Sequence, residues 1–489
     1  MEQDLVTIRP DVEVRETHTG YVVLVADKAY KAKKPIATEF LDFSTVKRRE
    51  RACAREVALN SRLAPQSYLG VGHWKAPAGG PAEPILVMNR YPDSRRLATL
   101  AKGDAAVFDQ LAQIAEALAN FHDSARQGRA VDAQGKPDAV SIRWQDNIAE
   151  LETFPEAVAP PALLGQIDSL ARQYIAGRGA LFKRRRAEKR LVDGHGDLLA
   201  DDIFCMPTGP VLLDCLDFDD RLRYVDRIDD AAFLAMDLEF LGRKDLADFF
   251  LDTYCRISAD QAPGSLKHFY IAYRALVRAK VDCIRFGQHH HHEAVDASRH
   301  LTLVLEHLAA GTVRLALVGG APGTGKTTLA HALAQRVGAE VISTDDVRSQ
   351  LLRNGTVVGE PGVLDSGLYR PDRVASVYDE AIRRAGELLS GGRSVILDGT
   401  WRDSDRRRLA QSLATETASA LIEIVCWASV DAAVARVAHR VAGASDATPN
   451  IARALAVRDD TWETAHPINT SQPLAECSDK AEVLWHKAN

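Results

Sequence analysis

The residues with the most specific chemistry are Lys326 and Thr327, adjacent at the end of VRLALVGGAPGTGKTT, a run that opens at Val313 as an apolar β-type segment. A long cationic side chain beside a short hydroxyl suits a polyphosphate and the Mg²⁺ that accompanies it. Ahead of them Gly320, Gly323 and Gly325 carry no Cβ, so several backbone N–H groups can converge on one anion, and a helix starting near Lys326 adds its positive end. The spacing satisfies G-x-x-x-x-G-K-[ST]. That makes Gly320, Ala321, Pro322, Gly323, Thr324, Gly325, Lys326, Thr327 and Thr328 the candidate ATP-binding residues, with Lys326 on the β/γ phosphates and Thr327 on Mg²⁺.

Further along, ISTDDVR places Asp345 and Arg348 as D-x-x-R where a second parallel strand would end, the edge at which such sheets take ligands. Asp345 there accepts the proton of an attacking hydroxyl while Arg348 orients the acceptor; in the plainer reading Asp345 is the N-cap of the helix DVRSQLL. Asp398 closes SVILDGT at the next strand end, as a Mg²⁺ or substrate contact, and Arg402 follows at once. The helix VDAAVARVAHR with VAGASDATPN reads as a lid whose Arg436 and Arg440 close on the transferring phosphoryl group, the alternative being solvated helix arginines.

A second set of residues lies in the first half. YVVLVAD and KAYKAKK read as adjacent strands and FSTVKRRERACAREVALNSRLA as a helix, followed by a strand-like ILVMNRYP and then mostly helix. A small β-rich lobe before a large helical lobe is the outline of a kinase-like fold. Within the helical part, LVDGHGDLLADDIFCM carries H-G-D on a loop between helices and is followed by PVLLDCLDFDDRLRYVDRIDD. These segments resemble the catalytic loop of the aminoglycoside phosphotransferase family, in which H-G-D-x-x-x-x-N precedes a metal-binding Asp on a short strand. The resemblance implies that Asp197 orients and deprotonates the acceptor hydroxyl and that His195 supports the loop. Asp202 stands where the family has its metal-ligating Asn, a departure that adds negative charge beside the ATP phosphates. The second metal carboxylate is Asp214 or Asp217, which VLLDCLDFDD presents on one face of a strand; the distance to Asp230 resembles the family's spacing for Asp217. Lys31 and Lys33 share a strand face, and Lys33 best resembles the ATP-contacting lysine, with Glu56 as its helix partner.

These residues need two scaffolds. From Arg314 onward, apolar strands alternate with helices of 3.6-residue period (AEVIST, DRVASVYDEAIRRAGELLSGG, SVILDGT, ALIEIVCWA), which predicts a parallel sheet covered by helices. The expected fold class is multidomain, α+β and α/β: a bilobal kinase-like domain over 1–310, with a small lobe about 1–92 and a helical lobe about 93–310, then a P-loop domain over 311–489. The C-terminal motifs resemble the P-loop kinases of the zeta-toxin, polynucleotide kinase and gluconate kinase group. The whole chain resembles bacterial fusions of an aminoglycoside-phosphotransferase-like domain with such a kinase domain. The four histidines His289–His292 read as a loop or frayed helix end, because adjacent residues on a helix point in different directions.

Composition narrows the function classes. With 46% apolar and 26% charged residues in 489, the chain has the makeup of a soluble enzyme of two or three domains, and no run approaches the roughly 18 apolar residues of a membrane helix. The acidic start MEQDLVTIRPDVEVRE lacks a signal-peptide core, so the cytoplasm is expected, and seven cysteines without a C-x-x-C pair read as reduced thiols. A net charge of −6 gives no field to gather nucleic acid. The expected activity is ATP- and Mg²⁺-dependent phosphotransfer to a hydroxyl of a small metabolite. Its alternatives are an N-terminal pseudokinase sensor that regulates the C-terminal kinase, suggested by Asp202, and a polynucleotide 5′-kinase or zeta-toxin-like activity of the C-terminal half.

Overall fold

The structure is a computed structural model that describes residues 12–16, 19–37, 42–75, 79–103, 107–287, 293–358, 367, 370–439, 448–457 and 462–488. His289–His292 and Arg440 lie outside the described residues. The chain divides into two compact units. One gathers residues 1–140, 185–262 and 270–304; the other gathers 141–184, 263–269 and 305–489.

The first unit opens with an antiparallel sheet of β1 (Val12–Glu16), β2 (Gly20–Val25), β3 (Lys28–Lys33), β4 (Tyr68–Trp74) and β5 (Glu83–Asn89), in the order β1-β2-β3-β5-β4. The period of two in β3 sends Lys31 and Lys33 to one face and Tyr30 and Ala32 to the other. The helix Val46–Asn60 begins at an N-cap, Thr45, whose side chain accepts from Arg48 N, and it buries Arg49, Cys53, Glu56 and Asn60, a stripe at three- and four-residue spacing. Short strands frame the helical part: β6 (Leu191–Asp193) pairs with β9 (Tyr224–Asp226), and β7 (Ile203–Met206) with β8 (Gly209–Leu212). The H-G-D step therefore lies between strands β6 and β7, not between helices. Asp214 and Asp217 do not share a strand face either. β8 ends at Leu212, and Asp214 has φ +61°, a left-handed conformation that an extended strand cannot contain and that Asp tolerates better than most residues.

The second unit is built on β10 (Arg314–Gly319), β11 (Glu340–Ser343), β12 (Val395–Asp398), β13 (Ala420–Trp427) and β14 (His466–Asn469), all parallel, in the order β11-β12-β10-β13-β14. Every residue of β10 is buried, as a central parallel strand requires. Its core joins Ala316, Val318, Ile396 and Ile424 to Leu329 and Leu333 of the helix Lys326–Val337 and to Trp485. The unit also takes in the helix Pro161–Gly177: a Cβ on Gly177 would overlap the Thr417 carbonyl oxygen, Arg178 donates to Leu389 O, and Ser265 Oγ donates to Gly392 O at 2.6 Å. Among the described residues no helix is long and apolar enough to cross a membrane, and all seven cysteines are free thiols.

Candidate functional site

In the second unit the strand register assembles the site. Val318 and Ser343 both pair with Asp398, so the start of the glycine-rich loop, the end of β11 and the end of β12 share one edge. Gly320 has φ +139° and Gly323 φ +84°, values open to glycine; a Cβ would overlap the Cys426 carbonyl oxygen at the first and that of Ala433 at the second. Lys326 and Thr327 begin the helix Lys326–Val337, and Thr327 Oγ1 lies 2.8 Å from Asp398 Oδ2. Asp398 is 2% exposed. Burial pushes its carboxyl up, against the pull of the Lys326 charge and the Thr327 hydroxyl. Its Oδ1 is buried with no partner of hydrogen-bond geometry among the described residues, which fits a carboxylate shaped to face a cation beside the threonine hydroxyl.

Asp345 lies in the first turn of the helix Thr344–Arg353, and its N-cap is Ser343, whose side chain accepts from Asp345 N at 3.3 Å. The capping role considered for Asp345 thus belongs to Ser343, because the strand ends at Ser343 and the helix begins at Thr344, two residues before the DVRSQLL start that the sequence pattern implies. The Asp345 carboxylate instead accepts from Arg348 Nη1 at 2.5 Å, a pair in which the arginine is buried and the acid a quarter exposed. Tyr378, from the helix Pro371–Ser390, braces the loop after Asp398: its hydroxyl accepts from Thr400 N at 3.0 Å and Trp401 N at 3.2 Å. Trp401 sits at φ +52°, an uncommon conformation for a bulky residue, with its ring buried and Nε1 donating to Leu397 O at 3.0 Å. Arg402 follows in that loop. Arg436 is exposed, and it donates to Thr470 O at 2.9 Å and to Gly323 O at 3.4 Å, so it holds the outside of the glycine loop. Thr470 Oγ1 adds a bond to Thr324 O at 2.6 Å, a contact no sequence motif announces.

In the first unit both lysines of β3 reach Glu56, which is 1% exposed: Lys31 Nζ at 2.9 Å and Lys33 Nζ at 2.7 Å. They then diverge, Lys31 to Asp214 at 3.0 Å and Lys33 to Asp217 at 3.2 Å. Burial works against each ammonium, yet the carboxylates outweigh it and hold both lysines above their ordinary value. Asp214 is held low chiefly by Lys31, whereas Asp202 is pushed well up by desolvation and by the charges of Asp214 and Asp197. Asp202 thus feels the charges of both Asp197 and Asp214, and Asp217 belongs to the Lys33 side.

The loop that carries Asp197 is held from beneath. Asp230 Oδ2 accepts from His195 N at 2.7 Å and Oδ1 from Gly196 N at 2.8 Å, while His122 Nε2, 2.9 Å away, completes the carboxylate. Asp197 N donates to His195 Nδ1 at 3.3 Å, so Nε2 carries the imidazole proton toward Leu213 O at 3.0 Å. Burial keeps His195 neutral by lowering its pKa. The ring therefore ties Asp197 to the residue before Asp214. Desolvation raises the Asp197 carboxyl to about 6, with Arg278 opposing and Asp214 adding to the rise, a value suited to receiving a proton near neutral pH. Asn60 Oδ1 accepts from Cys215 N at 2.7 Å and links the Glu56 helix to the same segment.

Residues 315–459 match the family described as "AAA domain". Over 483 residues the chain is 54% identical to "Uncharacterized protein Rv2004c" of Mycobacterium tuberculosis, covering 99% of this chain and 97% of that protein. A stretch of 133 residues is 31% identical to an adenylate kinase of Clavibacter michiganensis, 26% of this chain and 63% of that enzyme. Among solved structures, a choline/ethanolamine kinase family protein from Mesorhizobium loti aligns over 63% of this chain and 94% of its own, with TM-score 0.38 and 16% identity. A gluconokinase from Sinorhizobium meliloti aligns over 36% and 93%, with TM-score 0.26 and 17% identity. With 54% identity along nearly the full length of both chains, the protein belongs to the family of the mycobacterial Rv2004c protein.

Proposed function

We propose that this protein is a cytoplasmic, ATP-dependent phosphotransferase whose two domains, 1–310 and 311–489, each bind nucleotide, and that at least the C-terminal one passes the γ-phosphoryl group to a hydroxyl of a small metabolite. The observation that carries this reading is the Thr327–Asp398 bond of 2.8 Å at the head of a glycine loop whose positive φ values at Gly320, Gly323 and Gly325 give it the tight turn of a phosphate cradle. Thr327 and Asp398 would hold Mg²⁺ there, and Asp202 and Asp214 in the N-terminal domain; the ion, when bound, neutralises charge on the phosphate oxygens. Lys326 binds the β/γ phosphates, Asp345 takes the acceptor proton, and Arg348 orients Asp345. In the N-terminal domain Asp197 is the corresponding base. Lys31 joins Lys33 as an ATP contact, since Lys31 is the lysine bonded to Asp214 beside Asp202.

Asp345→Asn is expected to lower transfer about tenfold while nucleotide affinity and melting temperature hold, because phosphoryl transfer asks less of a base than of electrostatics and Ser343 still caps the helix. Initial rates beside calorimetric ATP affinity check this; full activity would remove Asp345 from the chemistry. The overall reading is tested by a phosphate-transfer screen of a metabolite library with wild type, Lys326→Ala and Asp197→Ala. A second reading, an N-terminal sensor, is favoured by the charge crowding at Asp202. In the Lys326→Ala chain a sensor binds ATP and transfers nothing, whereas an enzyme keeps a transfer that Asp197→Ala abolishes.

A further inference from the structure

Two helix faces leave the Asp197 loop and meet again at a buried imidazole. On the helix Arg227–Phe240, Asp230 holds the loop amides, Asp237 Oδ2 accepts from Ala200 N at 2.7 Å, and Phe240 ends the stripe, spacings that keep the three on one face. On the helix Gly264–Gly287, Arg274 Nη1 donates to Gly196 O at 3.1 Å. Arg278 and Asp282 follow it at successive helical turns, about 12 Å of rise in all. Where the stripes end, His300 of the helix Glu293–Ala310 stacks on Phe240, ring centroids 3.7 Å apart and planes 4° from parallel. Its Nδ1 lies 2.7 Å from Asp282 Oδ2 and 3.1 Å from Asp296 O, and Arg278 Nη2 lies 4.0 Å from Asp282 Oδ1.

His300 is 3% exposed. Two oxygens at Nδ1 place the ring proton there and leave a lone pair on Nε2, which is buried and has no hydrogen-bond partner among the described residues. Such an acceptor is costly to leave unmade, so a ligand that brings it a donor gains selectively. Its neighbourhood is that of the base: the Asp237 carboxyl, pushed up by burial, is drawn back by Ala200 N and Arg278, and Arg278 likewise opposes the rise at Asp197.

We propose that the stripe from Asp197 to His300 is the acceptor subsite of the N-terminal domain and that it takes a non-anionic polyol. This rests on reading that domain as a phosphotransferase. The reactive hydroxyl sits at Asp197, which takes its proton as the oxygen bonds to the γ-phosphorus and the β–γ bridging P–O bond breaks to release ADP. A second hydroxyl donates to His300 Nε2 and another to Asp237. Asp197, Asp237 and Asp282 outnumber Arg278, while Arg274 is paired with Asp229 at 2.6 Å and Arg299, stacked on Phe240, with Asp296 at 3.1 Å, so a phosphorylated or carboxylated acceptor meets net repulsion.

The test uses the full chain with Lys326→Ala, labelled ATP, and a panel of glycerol, hexoses and inositols beside their phosphorylated and carboxylated counterparts. Neutral polyols should be labelled, and His300→Gln should raise their KM about tenfold or more with the KM for ATP unchanged. An unchanged acceptor KM, or labelling confined to anionic acceptors, overturns the subsite and leaves phosphotransfer standing. If nothing is labelled, deuterium exchange at His300 Cε1, read by mass spectrometry on the same chain, decides. Slowing by the polyols supports the subsite and counts against the phosphotransferase reading; no slowing overturns the subsite. The exchange measurement also serves if His300→Gln does not fold.

Discussion

Lys326→Ala, in a chain whose N-terminal domain is silenced by Asp197→Ala, is expected to lower phosphotransfer at least about a hundredfold without loss of fold. The lysine begins the helix Lys326–Val337 directly after Gly325, whose φ of +80° turns the chain into that helix, so its side chain leaves from the end where the loop amides converge. Its charge reaches Asp398, yet it makes no contact on which the sheet depends, and the loop stays braced from outside by Arg436 and Thr470. Removing it leaves the cradle and takes away a long cation placed to meet charge that grows on the transferred group. A loss of a few kcal/mol follows, because that charge is greater in the transition state than in bound ATP. Turnover is read by ADP release and label transfer, and folding by thermal melting. Wild-type turnover in a folded variant would refute the phosphate-loop assignment.

The second large effect is on stability. Glu56→Ala is expected to destabilise the first unit by about 3–5 kcal/mol, the range for removing one partner of a buried ion pair. Glu56, with a side chain 2% exposed, is shared by two lysines whose remaining partners are more exposed, Asp214 at 51% and Asp217 at 19%, so each lysine loses its most buried carboxylate when it goes. Lys33, with a side chain 4% exposed, bears more of the cost than Lys31 at 17%. Adding Lys33→Met should recover part of the loss, since it removes the charge that was stranded. Urea denaturation of the wild type, the two single variants and the double variant gives the coupling. A double variant no more stable than Glu56→Ala would mean that Glu56 acts by packing and not by charge.

The cradle, the strand end at Asp398, the placing of Asp345 just beyond a strand, and the pairing of β3 with the Glu56 helix were readable from residues because each is local: glycine spacing, a two-residue strand period and a four-residue helix period act within a few positions. The choice between Lys31 and Lys33 was not, since a strand face gives both lysines the same direction and only the Glu56 carboxylate, brought from another element, shows that they share it. Asp214 and Asp217 escaped for a similar reason. Their segment looks like strand in composition, but it leaves the β8 ladder at Leu212 to follow Lys31 and Lys33, and long-range ion pairs override local propensity. Strands β4 and β14 were missed because the glycines of YLGVGHW and the shortness of HPIN hide any alternation, and pairing with β5 and β13 makes them strands. By itself, then, the sequence determined that a phosphate-binding loop, an H-G-D loop and two families of carboxylates exist. Which carboxylate meets which cation, that Ser343 and not Asp345 caps its helix, and that His300 closes a stripe begun at the Asp197 loop were decided only by tertiary structure, because each depends on atoms that meet across tens or hundreds of residues of chain.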